Sequence, residues 1–309
     1  MAGDQCLRIG TRQSALAIAQ SSWVASELQL RHIDVELVKL TTSGDEHVRS
    51  PKSPVGTGVY TREIQQALLD GAIDLAVHSL KDLPTEIVPG LSLAAVPRRA
   101  TVEDILITLQ ESTLDQLPSG SRIGTSSLRR SAQILHLRRD VRVEPIRGNV
   151  DTRLRKLDQG DYDAIVLARA GLERLGLLER IHCLFPTDQL LPAPGQGALG
   201  LEIRKDDDAT AELLSILDHV PTRHCVTAER SMLSELHGGC RAPVAGWAHA
   251  VSATELELAG AVISIDGQRK LVASSVDLAT SSVELGRSVA ALLADQGAHG
   301  LIEESRGLI

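Results

Sequence analysis

Aromatic side chains are nearly absent from this 309-residue chain: two Trp, two Tyr and one Phe, 2% in all. That argues against a protein that stacks single-stranded nucleic acid on aromatic platforms. It also means that any core must be built from Leu, Ile, Val and Ala. Cysteine is limited to Cys6, Cys183, Cys225 and Cys240, widely spaced and with no CxxC pair, so nothing supports a zinc knuckle or a dithiol motif. His182-Cys183 and His224-Cys225 are adjacent pairs, and neighbouring residues rarely share a metal, so no metal site is expected. A reduced, cytoplasmic protein with free thiols is the expectation. No apolar stretch reaches the ~18–20 residues that span a bilayer. Residues 1–10 lack a basic segment followed by an apolar run, so no secretory signal is expected.

What is present is apolar bulk and arginine. Apolar residues make up 43% of the chain, and a chain of this size buries roughly 75% of its unfolded surface. A disordered or low-complexity protein is thereby excluded. At roughly 150 residues per domain, two domains are expected, with room for a third. The formal net charge is -8, yet 26 of the 32 basic residues are Arg, and 11 of those lie between Arg122 and Arg174. A guanidinium presents a planar fork that matches carboxylate or phosphate, which an ammonium does not. For a single such Arg a solvated face is as good a reading. The cluster as a whole points to an anionic ligand.

The residue pattern alternates strand and helix twice. Leu7-Arg8-Ile9 reads as a strand, and Ser14 caps a helix to about Leu30 with Leu16, Ala19, Trp23 and Leu30 near one face. Strands follow at 35–40, 74–77, 91–96 and 105–109, with a helix over 61–69. Residues 42–60 form a long loop, the kind that tends to be functional or mobile, and are expected to cover the site. From Pro118 the pattern restarts, with strands at 122–124, 141–146 and 164–167 and helices at 127–137, 151–157 and 170–175. Two successive βαβ runs predict two parallel-rich α/β units. Pro192-Ala193-Pro194-Gly195 marks a boundary or hinge. The last third reads as a small α+β domain: helices at 208–217, 224–236 and 283–294, and strands at 244–250, 255–265 and 271–276 with a hairpin at Asp266-Gly267.

Ligands of open α/β sheets bind outside the carboxyl ends of the strands, and four segments fall there. They are Gly10-Thr11-Arg12-Gln13-Ser14, His78-Ser79-Leu80-Lys81-Asp82-Leu83-Pro84, Gly124 to Arg130, and Arg147-Gly148-Asn149-Val150 with Arg153 beyond. Thr125, Ser126 and Ser127 at a helix start can form an anion site, or Ser127 can be an ordinary N-cap. Lys81-Asp82 can be a local ion pair at a turn, or a carboxylate placed for general acid work. Cys240 follows Gly238-Gly239, so it is either an accessible thiol on a tight turn or a buried structural one. Cys6, Cys183 and Cys225 sit in apolar or helical contexts and read as core.

Taken together these segments resemble the porphobilinogen deaminase (hydroxymethylbilane synthase) family. The matching stretches are LRIGTR-S-LA (7–17), AVHSLKDLP (76–84), GTSSLRR (124–130), RGNV-TRL-KLD (147–158), DAI-LA-AGL-RLG (163–176), PGQGA-G-E (194–202), TAER (227–230) and L-GGC-AP (236–243). They follow family order and cover nearly the whole chain. The resemblance implies two periplasmic-binding-protein-like α/β lobes joined by a hinge, plus a small α+β C-terminal domain. The implied boundaries are 1–99 with 198–218 for lobe one, 104–194 for lobe two, and 221–309 for the domain that carries the cysteine.

The resemblance also implies the reaction. Four porphobilinogen molecules condense head to tail, releasing ammonia and the linear tetrapyrrole hydroxymethylbilane, on a dipyrromethane cofactor joined by a thioether to Cys240. Asp82 is implied as the catalytic acid, and Arg12, Ser14, Lys81, Thr125, Ser127, Arg129, Arg130, Arg147, Arg153 and Arg174 as the lining of the cofactor and substrate cleft. The implied enzyme is a monomeric transferase of porphyrin and heme biosynthesis, binding neither nucleic acid nor membrane. Pyrrole acetates and propionates suit the Arg cluster. One stretch departs from the family pattern: where a lysine-bearing VGGKG-like run is usual, this chain reads Pro54-Val55-Gly56-Thr57-Gly58, one residue shorter, with Arg49 and Lys52 nearby. The alternative is a two-lobed anion-binding module without catalysis, which has no need of Cys240 or Asp82.

Overall fold

The computed structural model describes residues 6–41, 61–239 and 242–307. The long loop expected over 42–60, and Cys240, lie outside the described residues. The strands are β1 (Leu7–Arg12), β2 (Val35–Leu40), β3 (Leu75–Ser79), β4 (Leu91–Ala95), β5 (Asp104–Thr108), β6 (Arg122–Gly124), β7 (Arg142–Glu144), β8 (Ala164–Ala168), β9 (Cys183–Leu184), β10 (Leu199–Arg204), β11 (Val244–Ala250), β12 (Glu255–Ile263) and β13 (Lys270–Leu278). The helices are α1 (Ala15–Gln29), α2 (Arg62–Leu69), α3 (Leu128–Leu137), α4 (Val150–Asp158), α5 (Arg169–Arg174), α6 (Asp208–Ser215), α7 (Val220–Glu235), α8 (Ser282–Asp295) and α9 (Ala298–Arg306).

The chain divides into two compact units. One runs to Arg99 and resumes over Ala198–Arg223; the other takes Ala100–Gly197 and everything from His224 onward. The first unit holds a five-stranded sheet of order β2-β1-β3-β10-β4. There β1 pairs in parallel with β2 and β3, while β10 runs antiparallel to β3 and β4. The second unit holds a five-stranded sheet of order β7-β6-β8-β5-β9 built on the same plan. Its β6, β7 and β8 are parallel, and β5 runs antiparallel to β8. A three-stranded antiparallel sheet, β11-β12-β13, completes the second unit with α7, α8 and α9. The fold is therefore mixed α/β with a small α+β C-terminal part.

Central strands are buried on both faces, and alternation decides which side each residue serves. In β8, Ala164 and Val166 join one core while Ile165 and Leu167 join the other. In β3, Leu75 and Val77 face the core shared with α1, and Ala76 faces the core shared with α2. Leu, Ile, Val and Ala dominate these cores, and Phe185 is buried in one of them. Each fully buried Leu, Ile or Val contributes about 1.5–3 kcal/mol.

Several expectations need correction. The buried face of α1 is Gln20, Ser21, Val24, Ala25 and Leu28, while Trp23 and Leu30 are exposed. Its polar residues, Gln20, Ser21, Ser22, Ser26, Glu27 and Gln29, are spread round the helix, so periodicity alone does not choose a face. Gln20 decides it by donating to Ser79 Oγ at 2.9 Å. Cys6 is exposed, since it precedes the first paired residue of β1; Cys183 and Cys225 are half-buried against cores. Strand β10 is an addition to the expected elements, and Leu199, Leu201 and Ile203 alternate in it as a strand should. The chain ends in two helices rather than one, because Gly297 at φ +97° breaks the run after α8.

The β12–β13 hairpin does more than turn the chain. Gly267, at φ +71°, sits against the end of α3, and its carbonyl lies 2.8 Å from His136 Nδ1. Alongside, Ala132 of α3 packs on Ala245, Ala261 and Ile263 of the small sheet. A Cβ on Gly267 would lie 2.5 Å from the His136 backbone nitrogen, whereas one on Gly120, at φ +82°, would meet nothing within 4 Å. Both positions carry the same left-handed backbone, so Gly120→Ala measures its cost alone. We expect Gly267→Ala to lower stability by about 1–3 kcal/mol more than Gly120→Ala in urea unfolding.

Candidate active site

In the first unit, β1 and β3 are parallel neighbours, so their carboxyl ends share an edge. Arg12 ends β1, half-buried, and Ser14 caps α1 by accepting from the Ala17 N–H at 3.3 Å. At the end of β3 the chain enters a 3-10 turn, Leu80–Asp82. Leu80 and Leu83 are buried on either side of Lys81 and Asp82, and the Leu80 N–H donates to Ala198 O at 3.0 Å. The turn is thus pinned by apolar anchors and a backbone tie, with Asp82 exposed and Lys81 half-buried. Beneath it, His78 Nε2 lies 3.0 Å from Glu202 Oε2, and Gln65 Nε2 donates to Glu202 Oε1 at 3.1 Å. That buried trio ties α2, β3 and β10 together just before the turn.

In the second unit, β6, β7 and β8 point their carboxyl ends to one edge. Thr125 is buried and Ser127 caps α3, accepting from the Arg130 N–H at 3.4 Å. Ser126 Oγ donates to Ile146 O at 2.7 Å, holding the start of α3 to the segment after β7. Arg147 is exposed there, and Arg153 Nε donates back to Gly148 O at 2.8 Å. Arg174 Nη2 donates to Gly197 O at 2.7 Å, and burial brings its guanidinium down to about 10.

Arg129 and Arg130 are buried, and both reach Asp104, which has 0% exposure. Arg129 Nη2 donates to Asp104 Oδ2 at 2.7 Å and its Nη1 to Leu191 O at 2.7 Å. Arg130 donates to Asp104 Oδ1 from Nη2 at 2.7 Å and from Nε at 3.1 Å. Gln196 Nε2 donates to the same oxygen at 2.9 Å. Burial lowers the Arg129 pKa, Asp104 opposes that, and Arg130 adds to the lowering. Two guanidiniums and one carboxylate leave these three groups one positive charge in excess. Arg129 Nε is buried with no hydrogen-bond partner among the described residues.

Set beside known proteins, the chain matches a family model described as "Porphobilinogen deaminase, dipyromethane cofactor binding domain" over residues 7–212. A second, "Porphobilinogen deaminase, C-terminal domain", matches residues 223–295. The chain belongs to the porphobilinogen deaminase family. It is 44% identical over 302 residues to the porphobilinogen deaminase of Brevibacillus brevis, covering 96% of each chain. It is 46% identical to that of Shouchella clausii, again with 96% of each chain covered. A more distant likeness is the periplasmic VFT2 domain of BvgS from Bordetella pertussis, 15% identical, at a TM-score of 0.41 over 68% of this chain and 85% of that one. Family membership removes the non-catalytic binding module as a reading.

The residues present fit the dipyrromethane cofactor of the porphobilinogen deaminase family, whose pyrrole rings carry acetate and propionate. The orphaned Arg129 Nε and the excess positive charge around Asp104 suit a carboxylate. Sequence reasoning missed Asp104, Gln196 and Glu229. A signal for Asp104 was available: an acid leading the apolar run Ile105-Leu106-Ile107 is drawn into the core and needs a buried cation.

Burial separates the arginines. Arg129→Met removes two charge-assisted hydrogen bonds but leaves Asp104 paired with Arg130, so a loss of about 2 kcal/mol is expected. Arg147→Met, at an exposed position, should stay within about 0.5 kcal/mol of the parent. Urea unfolding of the two variants checks this.

Proposed function

We propose that this chain performs the reaction of its family with Asp82 as the acid, Cys240 as the cofactor attachment, and the arginine-rich edge of the second unit as the carboxylate-binding surface. The family reaction is the stepwise condensation of four porphobilinogen molecules to hydroxymethylbilane with release of ammonia, a transferase step of tetrapyrrole and heme biosynthesis. The observation that carries the assignment of the second edge is the buried cluster of Arg129, Arg130 and Asp104 with its unpartnered donor. When bound, dipyrromethane supplies the pyrrole terminus to which substrate units are added.

In this reading Thr125 and Ser127 offer hydroxyls at the start of α3, where the helix dipole favours an anion. Arg147, Arg153 and Arg174 join Arg129 and Arg130 in holding acetate and propionate groups. Arg12, Ser14 and Lys81 serve the same acidic ligands from the first unit. Asp82, presented on its pinned turn, donates a proton to the amine nitrogen that leaves porphobilinogen. Once ionised, the same carboxylate stabilises the positive charge left on the substrate. The assignment of Cys240 rests on the sequence, where it follows Gly238-Gly239.

We also propose that residues 104–194 and 221–309 act as separate domains, a division supported by their distinct cores. A cytoplasmic monomer is the accompanying proposal. No helix among the described residues is long and apolar enough to cross a membrane.

Intact mass and turnover test the roles separately. Cys240→Ala should purify without the dipyrrole mass and without activity, and Cys6→Ala should keep both. Asp82→Asn should lose at least about a hundredfold in turnover, the scale of general acid-base help. Asp82→Glu should retain some turnover and the cofactor mass. Arg147→Leu should impair cofactor loading or substrate binding, and Arg306→Leu should not. An Asp82→Asn variant near parental rate would reduce Asp82 to a turn residue.

A further inference from the structure

We propose that Asp104 is a positioning residue for cofactor binding: held by Gln196, it aims Arg129 and Arg130 and limits their joint charge to one positive excess. This rests on the reading that those arginines bind the anionic cofactor.

The geometry supports it from three sides. Asp104 divides its oxygens, Oδ2 to Arg129 and Oδ1 to Arg130, so the two forks are fixed relative to each other. Backbone carbonyls complete the fixing: Leu191 O takes Arg129 Nη1 at 2.7 Å and Val166 O takes Arg130 Nη1 at 3.1 Å. A guanidinium held in this way loses little further freedom when a ligand arrives. Arg129 Nε stays without a partner among the described residues.

Asp104 is itself held. It opens β5 opposite Ala168, the last residue of β8, and its carbonyl accepts from the Phe185 N–H at 3.0 Å. Gln196 donates to its Oδ1 and to Val102 O at 2.7 Å. The neighbouring Gly195 N–H donates to Glu229 Oε2 at 2.6 Å, and Glu229 Oε1 accepts from the Ala248 N–H at 2.8 Å. The turn that carries Gln196 is therefore gripped from α7 and β11. Without a carboxylate at 104, two buried guanidiniums would face each other with an excess of two charges, more than one ligand carboxylate balances.

The test uses the full chain and three readouts: the cofactor-bearing fraction by intact mass, KM and kcat per cofactor-bearing chain, and the melting temperature. Loss of aim should lower the loaded fraction of Asp104→Asn at least about tenfold and raise KM by a similar factor, with kcat per loaded chain changing less than about threefold. Gln196→Leu keeps the charge and should shift loading in the same direction, by about threefold. It carries the test if Asp104→Asn does not fold.

Asp74 provides a matched control. It too is a carboxylate shared by two arginines, Arg8 at 2.8 Å and Arg204 at 3.0 Å, in the other unit. Asp74→Asn should lower the melting temperature and leave loading and KM at parental values. The proposal is overturned if Asp104→Asn, or Gln196→Leu in its place, loads and binds like the parent. It is equally overturned if Asp74→Asn loses as much loading for the same drop in melting temperature. Arg129→Leu distinguishes the underlying reading: parental loading there sinks the cofactor-binding role itself, whereas lost loading there with a parental Asp104→Asn sinks only the positioning role.

Discussion

A carboxylate shielded from water must meet its counter-charge within hydrogen-bond reach, and Asp104, with 0% exposure, meets two. Its position follows from topology. Because β5 runs antiparallel to β8, its first residue lies at the edge where β8 ends. An acid at that place can reach the first turn of α3, which starts after β6 at the same edge. The same pairing would bury an apolar residue without consequence. With an acid there, Arg129 and Arg130 are drawn inward, Gln196 is drawn to the same oxygen, and the 194–197 turn becomes fixed. Much of the carboxyl-end edge of the second unit's sheet is thus organised around one charge.

The two five-stranded sheets share a plan, and the plan explains why chemistry gathers where it does. In each, three parallel strands are flanked by an antiparallel strand that the chain enters just after crossing from the other unit, β10 in one and β5 in the other. Each of these strands begins at the edge where the parallel strands end: Leu199 stands opposite Ser79, and Asp104 opposite Ala168. Contacts to the first residues of these strands therefore bear on the candidate turns. In the first unit the Ala198 carbonyl holds Leu80, at the head of the turn that bears Asp82. In the second the antiparallel strand supplies the buried acid.

How much of this was legible in the residues depended on whether the signal was local. The N-cap at Ser14, the cap at Ser127 and the turn at Asp266-Gly267 were readable because a few consecutive residues determine each. The alternating strands and the edge segments after β1, β3, β6 and β7 were readable for the same reason. The buried face of α1 was not, because polar residues spread round the helix leave the choice to distant partners, Ser79 among them. The pairing of β10 with β3 joins residues more than a hundred positions apart, and Glu229 reaches 34 positions back to Gly195 and 19 forward to Ala248. Asp104 could be seen as an anomaly in sequence, but its partners could not be named.

The arginine excess between Arg122 and Arg174 has more than one origin, and the structure sorts it. Arg138 caps the carbonyls of Leu114 and Leu117 while pairing with Asp140. Arg122 reaches Gly160 O and lies near Asp163, and Arg169 pairs with Glu173. Those arginines tie loops to strands, using the several donors that one guanidinium offers and an ammonium offers less rigidly. Arg129, Arg130 and Arg174 are different because they are desolvated. Arg129 also keeps a buried donor with no partner among the described residues, which is unfavourable unless something anionic arrives. The density of arginine in the sequence therefore overstates the candidate edge, while burial with incomplete pairing picks out Arg129 as the member that a carboxylate would stabilise most.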